Sequence, residues 1–529
     1  MKPSKARTSR VSPADPPPPT QRIGLVMTGL LLSVFLAMLD AQIVATAIPR
    51  LVADLGGLDQ LAWITTAYVI SSTVMTPIYG KLSDLFGRKE VFLLAILLFV
   101  VGSAASGAAQ SMGQFITFRV VQGIGAGGLF VSVLSIIGGM LSPRAAARYY
   151  GYFSLAFAAS ALAGPPLGGL LTDLVGWRWV FLVNVPIGVG ALLLVGRHLK
   201  LPRTVRPVRI DYAGVLLLST AVVAASLVAT WAGTKYEWSS PVIVALIAIA
   251  LVATAAFVPV ERRAVEPVIP PHLFRNPTFT VCALVSFAAG FVFLGAVNFL
   301  ALFTQAVTGA SPMVSGLLLL PMMAGLVASS IVSSKRISQT GSYRWYPVLS
   351  MALGIIATAA MATMNADTSR PLAAVYMFVL GVAAGLNMQV LTMAAQNTAS
   401  PEDIGAVSAT ITFSRAIGTS LGISIFAAVF YGPLHDHLAR RLPAAALRTF
   451  DLDRAADAEK VRQLPADVRH GLAQAYADSL SPVFLLAAVV LAGGLACALF
   501  LKDIPLRSRD EDAQEDDGPA ADTTNDQLA

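Results

Sequence analysis

Long apolar runs recur along this chain, separated by short clusters of Gly, Pro and charged residues. They fall at about 22–48, 61–80, 91–109, 114–140, 149–173, 178–196, 211–232, 241–259, 277–306, 313–333, 344–363, 372–394, 405–432 and 479–501. A helix rises ~1.5 Å per residue, so about 20 residues cross a hydrocarbon core of ~30 Å. The pattern predicts fourteen membrane-crossing helices in an all-α polytopic membrane protein. An even number of crossings leaves both termini on one side. Runs 7 and 8 (211–259) read as an inserted pair between two six-helix halves, 22–197 and 277–501, a plan that places a transport site between repeats.

Composition agrees. Apolar residues make up 56% of the 529 and charged residues 13%, against ~25% charged in a soluble domain. Mean hydropathy is +0.70. A net charge of +7 would suggest nucleic acid in a soluble protein, but here the charge follows the loops, and no nucleic-acid partner is expected. Loops on the amino-terminal side hold 24 Lys and Arg and the opposite side 11, seven of those in the long loop 433–478. Basic residues favour the cytoplasm in short loops, so both termini are expected there. The first run is too long for a cleavable signal peptide and lacks a small-residue cleavage site, so it is expected to stay as an anchor. The basic, Pro-rich segment 1–21 and the acidic segment 508–529 cannot bury a core and are expected to be disordered cytoplasmic tails. Loop 433–478 carries a helical pattern with Val461, Leu464, Val468 and Leu472 on one side, which suggests a small extracytoplasmic cap; a solvated spacer is the competing reading. Cys282 and Cys497 suit neither a disulfide framework nor a metal site, and no metal is expected.

Two charges interrupt the apolar runs of the first half. Asp40 lies ~12 Å below the outer end of run 1 and Arg119 ~8 Å below the outer start of run 4, at the helical rise. A carboxylate at such depth costs roughly 2.5–3.5 kcal/mol on insertion scales. Mutual pairing is the economical arrangement, and a buried, paired acid is a candidate for carrying a proton. An acid merely satisfied by a neighbouring helix is the plainer alternative.

Arg119–Gly128, RVVQGIGAGG, contains the G-x-G-x-x-G spacing of a dinucleotide loop. That fingerprint needs a preceding strand and a helix N-terminus, whereas these glycines lie inside one apolar helix. There, small residues let backbones approach closely. Between runs 2 and 3 the chain reads GKLSDLFGRKE. Gly80 and Gly87 would allow a tight turn, Asp84 can accept hydrogen bonds, and Arg88 and Lys89 hold the loop at the inner surface. In run 5, Gly164, Pro165, Gly168 and Gly169 combine a kink with a smooth packing face.

These stretches resemble the signatures of the major facilitator superfamily: G-x-L-x-D-x-x-G-R-K in the first, R-x-x-Q-G-x-G in run 4, and G-P-x-x-G-G in run 5. The last marks the exporting branch. With fourteen runs, LDAQIVATAIP in run 1 and GWRWVFLVNVPIG before run 6, the chain is similar to the fourteen-span drug:proton antiporters. Gln42 and Ala45 replace the Thr and Asn usual there. The resemblance implies the major facilitator fold and alternating-access export of small hydrophobic or amphipathic molecules such as drugs, antibiotics or lipophilic metabolites. It also implies a proton gradient as energy source and Asp40 and Arg119 near the coupling site.

Candidate cavity residues are Gln42, Gln122, Asn298, Gln305, Asn387, Gln389, Thr392, Gln396, Thr412 and Arg415. Several recur at steps of three and four on one helix face; inter-helix hydrogen bonding is the competing use. Glu402 and Asp403 sit in an inner loop without basic residues and are expected to pair with Arg88 or Lys89 as a lock, with Asp84 near the start of run 13. Without a G-x-x-x-x-G-K-[ST] loop, ATP is not the direct energy source, and no cofactor is expected. The five histidines lie in loops or at run ends, so an enzyme is the distant alternative, and a nutrient importer on the same fold the nearer one. The partners implied are a small-molecule substrate and the bilayer, with the chain working as a monomer.

Overall fold

The computed structural model describes residues 23–57, 60–201, 210–233, 235–307, 317–442 and 465–506. The two tails and most of the proposed cap, including Val461 and Leu464, lie outside them. The helices are α1 (Ile23–Leu55), α2 (Leu61–Phe86), α3 (Arg88–Ala108), α4 (Met112–Met140), α5 (Pro143–Leu174) and α6 (Arg178–His198), then α7 (Tyr212–Trp231), α8 (Pro241–Glu261), α9 (Pro277–Leu302), α10 (Leu320–Thr340) and α11 (Trp345–Ala362). α12 (Arg370–Asn397), α13 (Ile404–Arg441) and α14 (Ala466–Leu499) complete them. Twelve are long and apolar enough to cross a membrane. The other two, α2 and α10, are each the second helix of a half, and both carry hydroxyl-rich faces turned to the opposite half.

Starts and stops follow local chemistry. Ser111, Asp211, Ser240 and Asn276 cap α4, α7, α8 and α9 with side-chain oxygens, satisfying N–H groups that a helix leaves free at its start. Pro143, Pro241 and Pro277 open helices, where the missing N–H costs nothing. Gly87, at φ +101°, makes the turn between α2 and α3, a backbone state that favours glycine.

α1–α6 form one bundle and α9–α14 the other; they meet along two seams, α2 against α13 and α5 against α10. α7 packs on both α2 and α13, and α8 packs on α7. The inserted pair therefore sits at the first seam. Trp63 meets Trp231 edge to face, ring centroids 5.9 Å apart, and Ser424 donates to the Ala229 carbonyl at 2.9 Å.

The stretch 433–478 is not a loop throughout. α13 continues to Arg441 and α14 begins at Ala466, so both helices stand beyond the expected membrane limits. Arg441 pairs with Asp478 at 2.9 Å, and Val468 and Leu472 are buried. Of the apolar positions read as a cap, Val468 and Leu472 belong to the packing face of this helix pair.

Candidate functional site

In the first half, four helices converge on Asp40, which is wholly buried. Arg119 Nη1 donates to its Oδ2 at 2.8 Å, and Gln122 Nε2 and Asn184 Nδ2 donate to its Oδ1 at 2.9 and 2.8 Å. Arg119 also reaches Gln122 Oε1 at 2.7 Å and lies over the Tyr68 ring, 4.2 Å from its centroid. Asn184 continues to Ser103 at 3.0 Å. Packing allows this convergence. A side-chain carbon at Gly123 would lie 2.0 Å from Ser71 Oγ, and one at Gly125 would lie 2.3 Å from the Phe99 nitrogen. The glycines of RVVQGIGAGG thus bring α4 against α2 and α3, inside one continuous helix. Asn184 was not singled out in the sequence; its one signal is a lone amide in an apolar run.

A separate cavity of about 550 Å³ lies between the halves. Its wall comes from the first half of α2 (Thr65, Thr66, Val69, Thr73), from α7 (Ser226, Ala229, Thr230), from Met38, Phe130 and Phe157 of α1, α4 and α5, and from α9, α10, α12 and α13. Of the expected cavity residues, Asn387, Thr412 and Arg415 line it. The others do not. Asp40, Arg119 and Gln122 lie behind its wall, inside the first bundle. Gln42 faces α5, its Cβ 2.6 Å from where Gly164 would carry one. Asn298 is exposed away from the cavity, and Thr392 and Gln389 are buried in α12. Gln396 belongs to the seam: it accepts from the Tyr150 hydroxyl of α5 at 2.7 Å and donates to Ser408 at 2.7 Å. The side chain of Gln305 lies outside the described residues. Helical spacing put these polar groups on common faces, but most of those faces meet protein rather than the central space.

α12 is interrupted at Met388 and Gln389, between helical pieces Arg370–Asn387 and Val390–Asn397. Arg415 of α13 donates to the Met388 carbonyl at 2.6 Å, and its guanidinium lies 5.7 Å from the Phe130 ring centroid. The break carries no Gly or Pro and had no signal in the sequence.

The face at which α1 begins is shut. Asp84 accepts from the Gly405 and Ala406 nitrogens at 3.0 and 2.9 Å, so the acid of one half caps the first turn of α13 in the other. Arg88 donates to the Pro401 carbonyl at 2.8 Å. Gly80 is helical, not a turn; a side-chain carbon there would lie 2.2 Å from Ala409 Cβ. Its role is close approach. Lys89 corrects the expected lock, because it donates to the Gly196 and Leu199 carbonyls of α6 and its exit at 2.9 and 2.6 Å. There it caps a helix end of its own half. Asp403 pairs not with Arg88 but with His272 at 2.9 Å. The second seam closes through Ser154 and Ser330, whose oxygens are 2.6 Å apart, and through Arg144, which donates to the Ser338 and Gln339 carbonyls ending α10. Replacing Asp84 with Ala removes a cap worth about 0.5–2 kcal/mol. The closed-to-open ratio should therefore fall roughly 2- to 30-fold, with slower cross-linking of a cysteine pair at 154 and 330 as the readout.

In α5, Pro165 and Pro166 lie within a continuous helix. A side-chain carbon at Gly168 would meet Thr46 Oγ1 at 2.2 Å and the Ile43 carbonyl at 2.5 Å, whereas Gly169 faces open space. The motif sets how closely α5 rides on α1, one turn from Asp40.

Two bundles around a central cavity, shut at one face, with a charge pair buried in one bundle, define a polytopic membrane transporter rather than an enzyme. Residues 30–423 match the family described as the Major Facilitator Superfamily. The chain belongs to it. It is 33% identical to the multidrug transporter protein MdtP of Bacillus subtilis, over 94% of this chain and 96% of that protein. It is 35% identical to multidrug resistance protein 3 of the same organism, over 90% and 94%. The human organic anion transporter MFSD10 (TETRAN) has the same fold, with a TM-score of 0.60 at 17% identity over 90% of this chain and all of that one.

Proposed function

We propose that the protein is a proton-coupled exporter of small hydrophobic or amphipathic molecules, working by alternating access from a bacterial inner membrane with both termini cytoplasmic. The observation that carries the reading is Asp40 held by Arg119, Gln122 and Asn184. A proton on this carboxyl cancels its attraction for Arg119 and turns an acceptor into a donor. The network must then rearrange, and α1 and α4, which carry it, sit next to the helices that close the seams. The relatives named as multidrug transporters and the α5 motif support the outward direction. In this reading the shut face is cytoplasmic, and the chain stands open toward the exterior. One charge crossing ~100 mV is worth ~2.3 kcal/mol, or roughly 50-fold accumulation per proton. The chain is taken to work as a monomer, with no cofactor beyond the proton.

The test is reconstitution in liposomes with an imposed pH gradient, following loss of a hydrophobic dye and the counterflow of protons together. Both should stop when a protonophore collapses the gradient. Dye movement that continues unchanged under the protonophore would remove proton coupling; dye movement only in the opposite sense would make the protein an importer.

A further inference from the structure

The cavity wall contains one ionisable side chain among the described residues, Arg415. Asp40 is sealed behind it, and no carboxylate lies within 4 Å of Arg415 among those residues. Arg stays charged at any working pH. Its described partners are one carbonyl and the face of Phe130, so its charge is solvated but not neutralised. Around it the wall is apolar and soft, with Met38, Phe157, Phe293, Met322 and Met388, and Asn387 adds a buried amide whose Oδ1 has no partner.

A lone guanidinium in such a space repels a cation and leaves a neutral molecule to face an uncompensated charge. An anion supplies the missing countercharge, and the fork geometry suits a carboxylate or sulfonate. Resting on the exporter reading above, we propose that the cavity takes amphipathic anions, an apolar body carrying one acidic group, with Arg415 as the residue that binds the charge. Arg415 now holds the Met388 carbonyl at the break in α12, and Met388 Sδ lies 3.3 Å from Ser154 Oγ of α5. An anion that draws the guanidinium into the cavity therefore loosens α12 where it touches the seam. Occupancy and closure share one side chain.

The probes are pyrenebutyric acid, its methyl ester, and a pyrenebutyl trimethylammonium salt, three charges on one apolar body. Each is titrated by fluorescence against the full chain in lipid nanodiscs, with empty discs subtracted. The native protein is expected to bind the acid at least tenfold more tightly than the ester or the ammonium. Arg415→Gln should erase that preference, weakening the acid while the ester binds at least as well as before, and Arg415→Lys should keep part of it. Equal binding of acid and ester by the native protein, which needs no variant to fold, overturns the proposal; so does a preference undiminished in Arg415→Gln. Liposome transport separates this from the parent reading. If the ammonium leaves under a pH gradient and the acid does not, the exporter stands and the anion site falls. If the acid binds selectively yet nothing moves under any gradient, the anion site stands and the exporter falls.

Discussion

Asp40→Asn is expected to bring gradient-driven dye efflux down to the level of protein-free liposomes, with no proton counterflow above leak. The substitution keeps the size of the side chain and its ability to accept from Asn184 and Gln122, but removes both the charge and the titration. It also leaves Arg119, 1% exposed, without a counterion. Removing one partner of a buried ion pair costs about 3–5 kcal/mol, so part of the lost activity could come from a weakened bundle. A second variant separates the two effects. Asp40→Asn combined with Arg119→Gln removes the unpaired charge and should recover much of the thermal stability, read by size-exclusion chromatography after heating. Efflux should stay absent. Coupled efflux restored in the double variant, or retained in the single one, would show that the carboxyl is a structural element and that the proton travels elsewhere.

The second large effect is expected at Gly405. A side-chain carbon there would lie 2.6 Å from the Gly80 carbonyl and 2.5 Å from Asp84 Oδ1. The first of these is backbone and cannot swing aside. Gly405→Val should therefore prevent α2 and α13 from meeting and hold the amino-terminal face open. Transport should be lost while the chain still folds, because the contact lies between the halves and not within either. The cysteine pair at 154 and 330, on the other seam, should cross-link at least tenfold more slowly than in the native background. An unchanged rate would mean that the two seams open independently, which two rigid halves do not allow.

Particular residues show how far the sequence could be read. Asp40 and Arg119 were legible because a charge in an apolar run has few stable solutions, and equal depth on two helices leaves one. The approach of Asp84 to the start of α13 was legible too, from the attraction between a carboxylate and free N–H groups. Lys89 was misplaced, since a basic loop residue finds helix-ending carbonyls as readily as acids, and those of α6 lie nearer. The polar stripes on α12 and α13 told which residues share a face, but not what that face meets. Only the packing of whole bundles sends Gln396 to Tyr150 and Thr412 to the cavity. The threonines of α2 and the serine and threonine of α7 that build much of the cavity wall carried no signal, because hydroxyls in apolar helices usually bond back to their own backbone. The fourteen runs correspond to fourteen helices among the described residues, although α2 and α10 owe their place to neighbours more than to their own apolarity.

A pair of rocking halves faces a difficulty wherever it parts: the slit left behind opens sideways onto lipid tails as well as endways onto water. Along α2 and α13 that slit is backed by α7, with α8 behind it, and α7 contributes Ser226, Ala229 and Thr230 to the chamber itself. The extra pair thus covers one flank. On the exporter reading, a molecule dissolved in the bilayer would find the open flank along α5 and α10, where serines rather than a further helix pair stand beside the cavity.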